Sequence, residues 1–287
     1  MLSVYKKELR SYFSNMIGYV FIAAILVIVG IYMTAMNLNQ GYPNFEYSFG
    51  SATFIFLFIV PILTMRSLSE ERHSKTDQLL YSLPLSVNDI VIGKYLSMLT
   101  VFGIPCGVMC IYPIILGFYG TINYLATYGA LLAFFLLGAA LIAIGMFCSS
   151  LTESQVISAV LGFASVLFCY LVSSLASLVP TTSVASFIAF TVIVLAIALI
   201  LWYMTKNTVI TYAAALVLEG VMFILYMINS SNFAGLFNDV LESMSLFDRL
   251  NNFIYGMFDL TSIVYYITVI FLFVFLTSQS VEKRRWS

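Results

Sequence analysis

The sequence predicts an all-α fold, a polytopic transmembrane helical bundle of about eight spans, and three observations predict it. Of the 287 residues, 62% are hydrophobic and 9% charged, with a mean hydropathy of +1.02; a soluble domain carries about 25% charged residues. The apolar residues gather into runs of about 20, the length that crosses a bilayer at about 1.5 Å per residue. With the N-terminus placed in the cytoplasm, 11 of the 12 Lys and Arg residues fall on the inner side and Arg249 alone on the outer side. The positive-inside rule then puts both termini in the cytoplasm. The net charge of −1 says little beside this separation, and no basic patch suggests nucleic acid.

Residues 1–16 read either as a helix on the inner membrane surface, since Leu2, Tyr5, Leu9, Tyr12 and Phe13 recur at three- and four-residue intervals opposite Lys6, Lys7 and Arg10, or as a positive flank that only sets topology. A cleavable signal is not expected, because a full-length span follows with no small-residue cleavage pattern. The candidate spans run from Ile17 to Met36, Tyr47 to Met65, Tyr95 to Tyr119, Leu125 to Ser149, Val156 to Val179, Ser186 to Thr205, Val209 to Ile228 and Leu260 to Ser280. The whole chain, 1–287, reads as one membrane domain. Gly138, Ala139, Ala143 and Gly145 in the fourth span, and Ser158, Gly162 and Ser165 in the fifth, are small residues at a spacing that lets helix backbones approach.

Two stretches outside the spans are long enough to have structure of their own. The inner loop 66–94 holds eight of the chain's 25 acidic and basic residues. Within it Leu79, Leu80 and Leu83 precede Pro84 and make a short amphipathic helix that the proline ends. Ser86, Asn88 and Asp89 then cap a helical start running into the third span. The outer stretch 229–259 reads as a hairpin of two amphipathic helices, interrupted around Ser245.

Catalytic chemistry has little material here. His73 is the single histidine, no GxSxG or HExxH occurs, and Gly93-Lys94 lacks the rest of a phosphate loop. The four cysteines lie in spans or at a span end without metal-ligand spacing, so neither a metal site nor a disulfide framework is expected. Glu219 alone puts an ionisable group near a span centre, with Tyr212 and Tyr226 seven residues to either side on the same face. These three form a polar stripe that either lines a path or ties this span to a neighbour.

The stretch TMRSLSEERHSKTDQLLYSLPLSVNDIVIGKYLS resembles the second-span, inner-loop and third-span signature of type-2 ABC exporter permeases, particularly the gliding-motility-type subfamily. YKKELRSYFSNMIGYVF, CSSLTESQVISAVLGF and FDLTSIVYYITVIFLFVFLTSQSVEKRRW are similar to that family's N-terminal helix, fourth-to-fifth-span connection and last span. The resemblance implies a permease subunit in the bacterial cytoplasmic membrane that pairs with an identical or homologous permease. It also implies two copies of a separate cytoplasmic ATPase, which would hold ATP and Mg while this chain holds no cofactor. The inner loop would be the coupling helix, with Glu70, Glu71, Arg72, Thr76, Asp77, Leu80, Leu83 and Pro84 at or near the ATPase surface, and the N-terminal helix would be a second contact. The implied activity is export of a lipid-like, peptide or glycan substrate. The family's commonest plan has six spans, so residues 186–228 read as an insertion of two, and the resemblance says nothing of Glu219 there. Two other classes remain open from sequence: a carrier or channel working without an ATPase, and a scaffold that transmits ATP-driven motion without transport.

Overall fold

The computed structural model describes residues 1–76, 86–205 and 208–285. Every regular element among them is helical. Six helical stretches are long and apolar enough to cross a membrane: Ile17–Leu38, Glu46–His73, Val87–Leu116, Tyr124–Leu151, Gln155–Leu178 and Leu260–Arg284. These coincide with six of the eight runs read from the sequence, and the chain is a multi-pass membrane protein. Residues 183–228 form the helices Ser183–Thr205 and Thr208–Ile228. Of the first, the apolar stretch among the described residues is Ser183–Ala196, and in the second Ala215–Ile228 meets Ser230–Met244 at a bend of 116°.

The chain divides into two compact units, Met1–Cys169 with Leu246–Ser287, and Tyr170–Ser245. The larger unit is built around α8 (Tyr124–Leu151), whose apolar stretch is 72% buried, against 17% for the last helix, α14 (Leu260–Arg285). The contrast sorts them into a central and a peripheral helix. Val264, Ile267, Phe271 and Phe275 of α14 are exposed, which suits lipid as the solvent. Around α8 lie α3 (Glu46–Ala52), α4 (Phe56–Thr64) and α6 (Val87–Met109), with α2 (Ile17–Tyr32) packed on α6 through Phe21 and Phe102. Their core is aromatic: Phe134 packs 4.8 Å from Phe56, 5.2 Å from Phe49 and 6.2 Å from Phe102, centroid to centroid.

The small residues of α8 admit these rings. A Cβ on Gly138 would lie 2.3 Å from the Phe102 ring, and one on Gly145 would lie 2.5 Å from Thr64 Oγ1. Between apolar helices in lipid such packing, rather than transfer out of water, holds the assembly. Just before the start of α14, Asp259 accepts from the Thr261 amide at 2.9 Å, Ser262 Oγ at 2.6 Å and Asn252 Nδ2 at 3.1 Å. The Ser262 bond leads these contacts in holding the Asp259 carboxyl down to about 2. Arg249, the one cation outside the sorting pattern, stands 3.9 Å above the Tyr265 ring centroid.

In the smaller unit α10 (Ser183–Thr205) and α11 (Thr208–Ile228) run antiparallel: Phe187 packs on Tyr226 at 5.0 Å, and Thr191 reaches Glu219. The end of α9 (Gln155–Leu178) is capped within the same unit by α12 (Leu236–Met244), where Asn238 Nδ2 donates to the carbonyl oxygens of Ala176 at 2.7 Å and Val179 at 2.8 Å. The two helices expected over 229–259 are present as α12 and α13 (Asp248–Ile254). The division between the units falls after Ser245, at the interruption the spacing had marked, and α13 buries Leu250 and Phe253 within the larger unit.

Candidate functional site

The root of the polar loop is tied down on two sides. After α4 the chain turns through α5 (Ser69–His73), and Ser149 near the end of α8 accepts from the Leu68 and Ser69 amides, both at 3.2 Å, while donating to the Met65 carbonyl at 3.3 Å. One hydroxyl thereby satisfies donors that a helix start leaves open. Arg72, 7% exposed, donates through Nη1 to the Ser150 carbonyl. Ser280 Oγ reaches the same carbonyl at 3.3 Å, and Arg284 Nη2 donates to Leu151 O at 2.9 Å. Cations and hydroxyls thus gather on the carbonyl end of α8, where the helix dipole favours positive charge.

The other tie is electrostatic. The helix α1 (Leu2–Ser14) lies against the start of α6, close enough that a Cβ on Gly93 would be 3.2 Å from the Val4 Cβ. Beside that contact Lys94, 2% exposed, directs its ammonium at Glu8 Oε1 at 3.0 Å, Glu71 Oε2 at 2.9 Å and the Ser67 carbonyl at 2.8 Å. Lys7 closes the figure, 3.1 Å from Glu71 Oε1 and 3.8 Å from Glu8. Two cations and two carboxylates alternate in a four-membered ring that joins α1, the loop root and the third span. A buried ammonium is tolerated only with such pairing, because desolvating an ion costs several kcal/mol. Tyr12 adds a neutral tie, its hydroxyl donating to Leu63 O at 3.3 Å. Burial, assisted by the nearby Glu8, pushes that phenol above its ordinary range, so it remains a donor.

The structure separates the loop residues singled out by sequence. Glu71 and Arg72 face the protein interior, Glu70 is half-buried, and Thr76 is exposed beside His73, Ser74 and Lys75. Thr76 is held by its own turn, its amide donating to Glu71 O at 2.9 Å. Lys75 adopts a left-handed conformation, φ 56°. Asp77, Leu80, Leu83 and Pro84, with the short helix expected around them, lie outside the described residues. Ser86 caps α6 as the sequence suggested, accepting from the Asp89 amide at 3.1 Å.

Lys94, Glu8 and Lys7 are not among the candidate site residues that the sequence pointed to. The signal that could have found them is the position of Lys94 two turns inside an apolar helix, between Ile90, Val91, Tyr95 and Met98, all buried. A cation there demands acids from elsewhere in the chain.

In the smaller unit Glu219 and Tyr226 do share a half-buried face of α11. Glu219 Oε1 accepts from Thr191 Oγ1 at 2.7 Å, while Oε2 is buried with no hydrogen-bond partner among the described residues. Tyr226 packs on Phe187 and Phe233. The side chain of Tyr212 lies outside the described residues. Among the described residues no three His, Cys, Asp or Glu side chains gather to hold a metal ion.

A bundle of apolar membrane-crossing helices, with a polar loop braced at its root by buried charge, defines a multi-pass membrane subunit built to hold a loop in place. The model of the ABC-2 family transporter protein matches residues 1–231 of the 287, and the chain belongs to that family. It is a permease subunit of an ABC transporter, a class that associates with an ABC ATPase. No curated protein matches the chain.

Proposed function

We propose that this chain is the membrane half of an ATP-driven exporter of the gliding-motility-type subfamily. It sits in a bacterial cytoplasmic membrane with both termini inside, and it pairs with a second permease, identical or homologous. Two copies of a separate ATPase bind ATP and Mg beneath it. The cargo leaves outward and belongs to the lipid-like, peptide or glycan classes.

The observation that carries this reading is the ring of Lys7, Glu8, Glu71 and Lys94. The exposed turn His73 to Thr76 meets the ATPase, while Glu71 and Arg72 act from behind it. Closure of the ATPase dimer pushes on the turn. Because the ring joins the loop root to α1 and α6, the push shifts these elements together and tilts the inward- and outward-facing balance. Glu219 ties α10 to α11 through Thr191 and takes no part in this path.

The experiment is a mild-detergent pull-down of the tagged full chain from its native membrane, with mass spectrometry of what co-purifies. A soluble chain bearing GxxxxGK[ST], in equal number to the permeases, is the expected result. Recovery of this chain alone, under conditions that preserve other membrane complexes, would overturn the proposal in favour of an autonomous carrier.

A further inference from the structure

The loop after the first span and the loop after the third meet at one end of the larger unit and leave a depression of about 240 Å³ between them, with Asn37, Tyr42 and Pro43 on one wall and Tyr119 and Gly120 on the other. One wall is fixed from the interior. Residues Met33–Leu38 leave the α-helical path for a π-helical turn, a departure frequent at functional sites because it redirects side chains. Within that turn Asn37 lies inward, 3% exposed. Its Nδ2 donates to the Tyr42 carbonyl at 2.8 Å, and its Oδ1 accepts from Ser48 Oγ at 2.7 Å. The loop carrying Tyr42 is therefore held in shape before anything binds, and Gly41, at φ 69°, makes its turn. The two loops touch at Gly120, where an added Cβ would lie 3.3 Å from the Pro43 Cβ, so a larger residue there would press on Pro43 and reshape the depression.

Among the described residues, those lining the depression carry no charge. An anionic headgroup would find no cation among them, and a quaternary ammonium would find no carboxylate. Tyr42 and Tyr119, 62% and 78% exposed, offer aromatic faces and phenol hydroxyls. That combination suits a neutral ring whose C–H groups lie on an aromatic face while its hydroxyls exchange hydrogen bonds with the phenols. Sites for drug-sized ligands begin at about 300 Å³, so 240 Å³ admits about one such ring and no acyl chain.

We propose that this depression binds one neutral sugar residue, either of a free glycan or of a glycolipid headgroup. Its placement on the outer face rests on the exporter reading, whereas binding itself requires neither ATPase nor transport. If the pull-down above returned no ATPase, the sugar site would stand or fall separately.

The test uses the full chain in phosphatidylcholine nanodiscs and saturation-transfer difference NMR. The probes are the methyl glycosides of glucose, galactose and N-acetylglucosamine, glucosyl diacylglycerol, and glycerophosphocholine as the charged control. At least one sugar probe should receive saturation. That signal should fall at least ten-fold in Gly120→Val and in the Tyr42→Ala/Tyr119→Ala double variant, and less in Tyr42→Phe. Binding by a methyl glycoside shows that a free glycan suffices, and binding by the glycolipid alone assigns the headgroup source. Saturation of no sugar probe, undiminished binding in the double variant, or competition by glycerophosphocholine would each overturn the proposal. Both tyrosines are exposed at the rim, so the double variant keeps the test decisive even where Gly120→Val fails to fold.

Discussion

Lys94 and Glu219 are both ionisable side chains set into apolar helices, and their surroundings are opposite. The Lys94 ammonium has two carboxylates and a carbonyl within 3.0 Å, drawn from two other stretches of chain. Glu219 has one threonine hydroxyl on Oε1 and nothing on Oε2 among the described residues. In the first, the joined segments cannot part without leaving a charge uncompensated, so the contact can carry force between them. In the second, one hydrogen bond fixes the register of two neighbouring helices, and no ion pair depends on it.

The largest break in this comparison should come from Lys94→Met. It leaves Glu8 and Glu71 with only the exposed Lys7 between them and removes their buried cation, a loss of about 3–5 kcal/mol by analogy with broken buried pairs. Thermal unfolding of the purified chain in detergent would show a clear fall in Tm, with Lys94→Arg recovering most of it. An unchanged Tm for Lys94→Met would mean that the ring holds nothing. Glu71→Gln should cost less, about 1.5–3 kcal/mol for one charge-assisted contact, because Glu8 and the Ser67 carbonyl remain on Lys94. Combining it with Lys94→Met should give less than the sum, and strict additivity would argue against a shared ring.

Thr191→Val should have the smallest effect, about 0.6 kcal/mol, the usual size of an interhelical hydrogen bond in lipid. A loss as large as that of Lys94→Met would reverse the comparison and make Glu219 a principal support of α10 and α11.

Much of the fold was legible because lipid imposes a simple rule: the apolar runs had to be about 20 residues, and six of them are helices long and apolar enough to cross a membrane. The Ser86 cap was legible because its chemistry is local. The ring was not, since Lys7 and Glu8 lie more than 60 residues from Glu71, and no periodicity links them. Nor could spacing tell which loop charges turn inward, because exposed and buried carboxylates read alike in a polar segment. Glu71 and Arg72 face the interior and Thr76 does not, a difference decided by Lys94 and by the carbonyl end of α8. The π-helical turn that carries Asn37 inward had no sequence mark either, since its residues continue the apolar run of the first span.

The central claim is that the exposed turn after α5 meets the ATPase while the charges behind it hold the loop. The most direct measurement places a photo-reactive benzophenone side chain at His73, at Thr76 and, as a control from the other end of the third span, at Tyr119, in the complex purified from native membranes. Irradiation should join His73 and Thr76 variants to the soluble ATPase and leave the Tyr119 variant unjoined. An intact complex in which neither turn position cross-links, or in which Tyr119 does, would contradict the account.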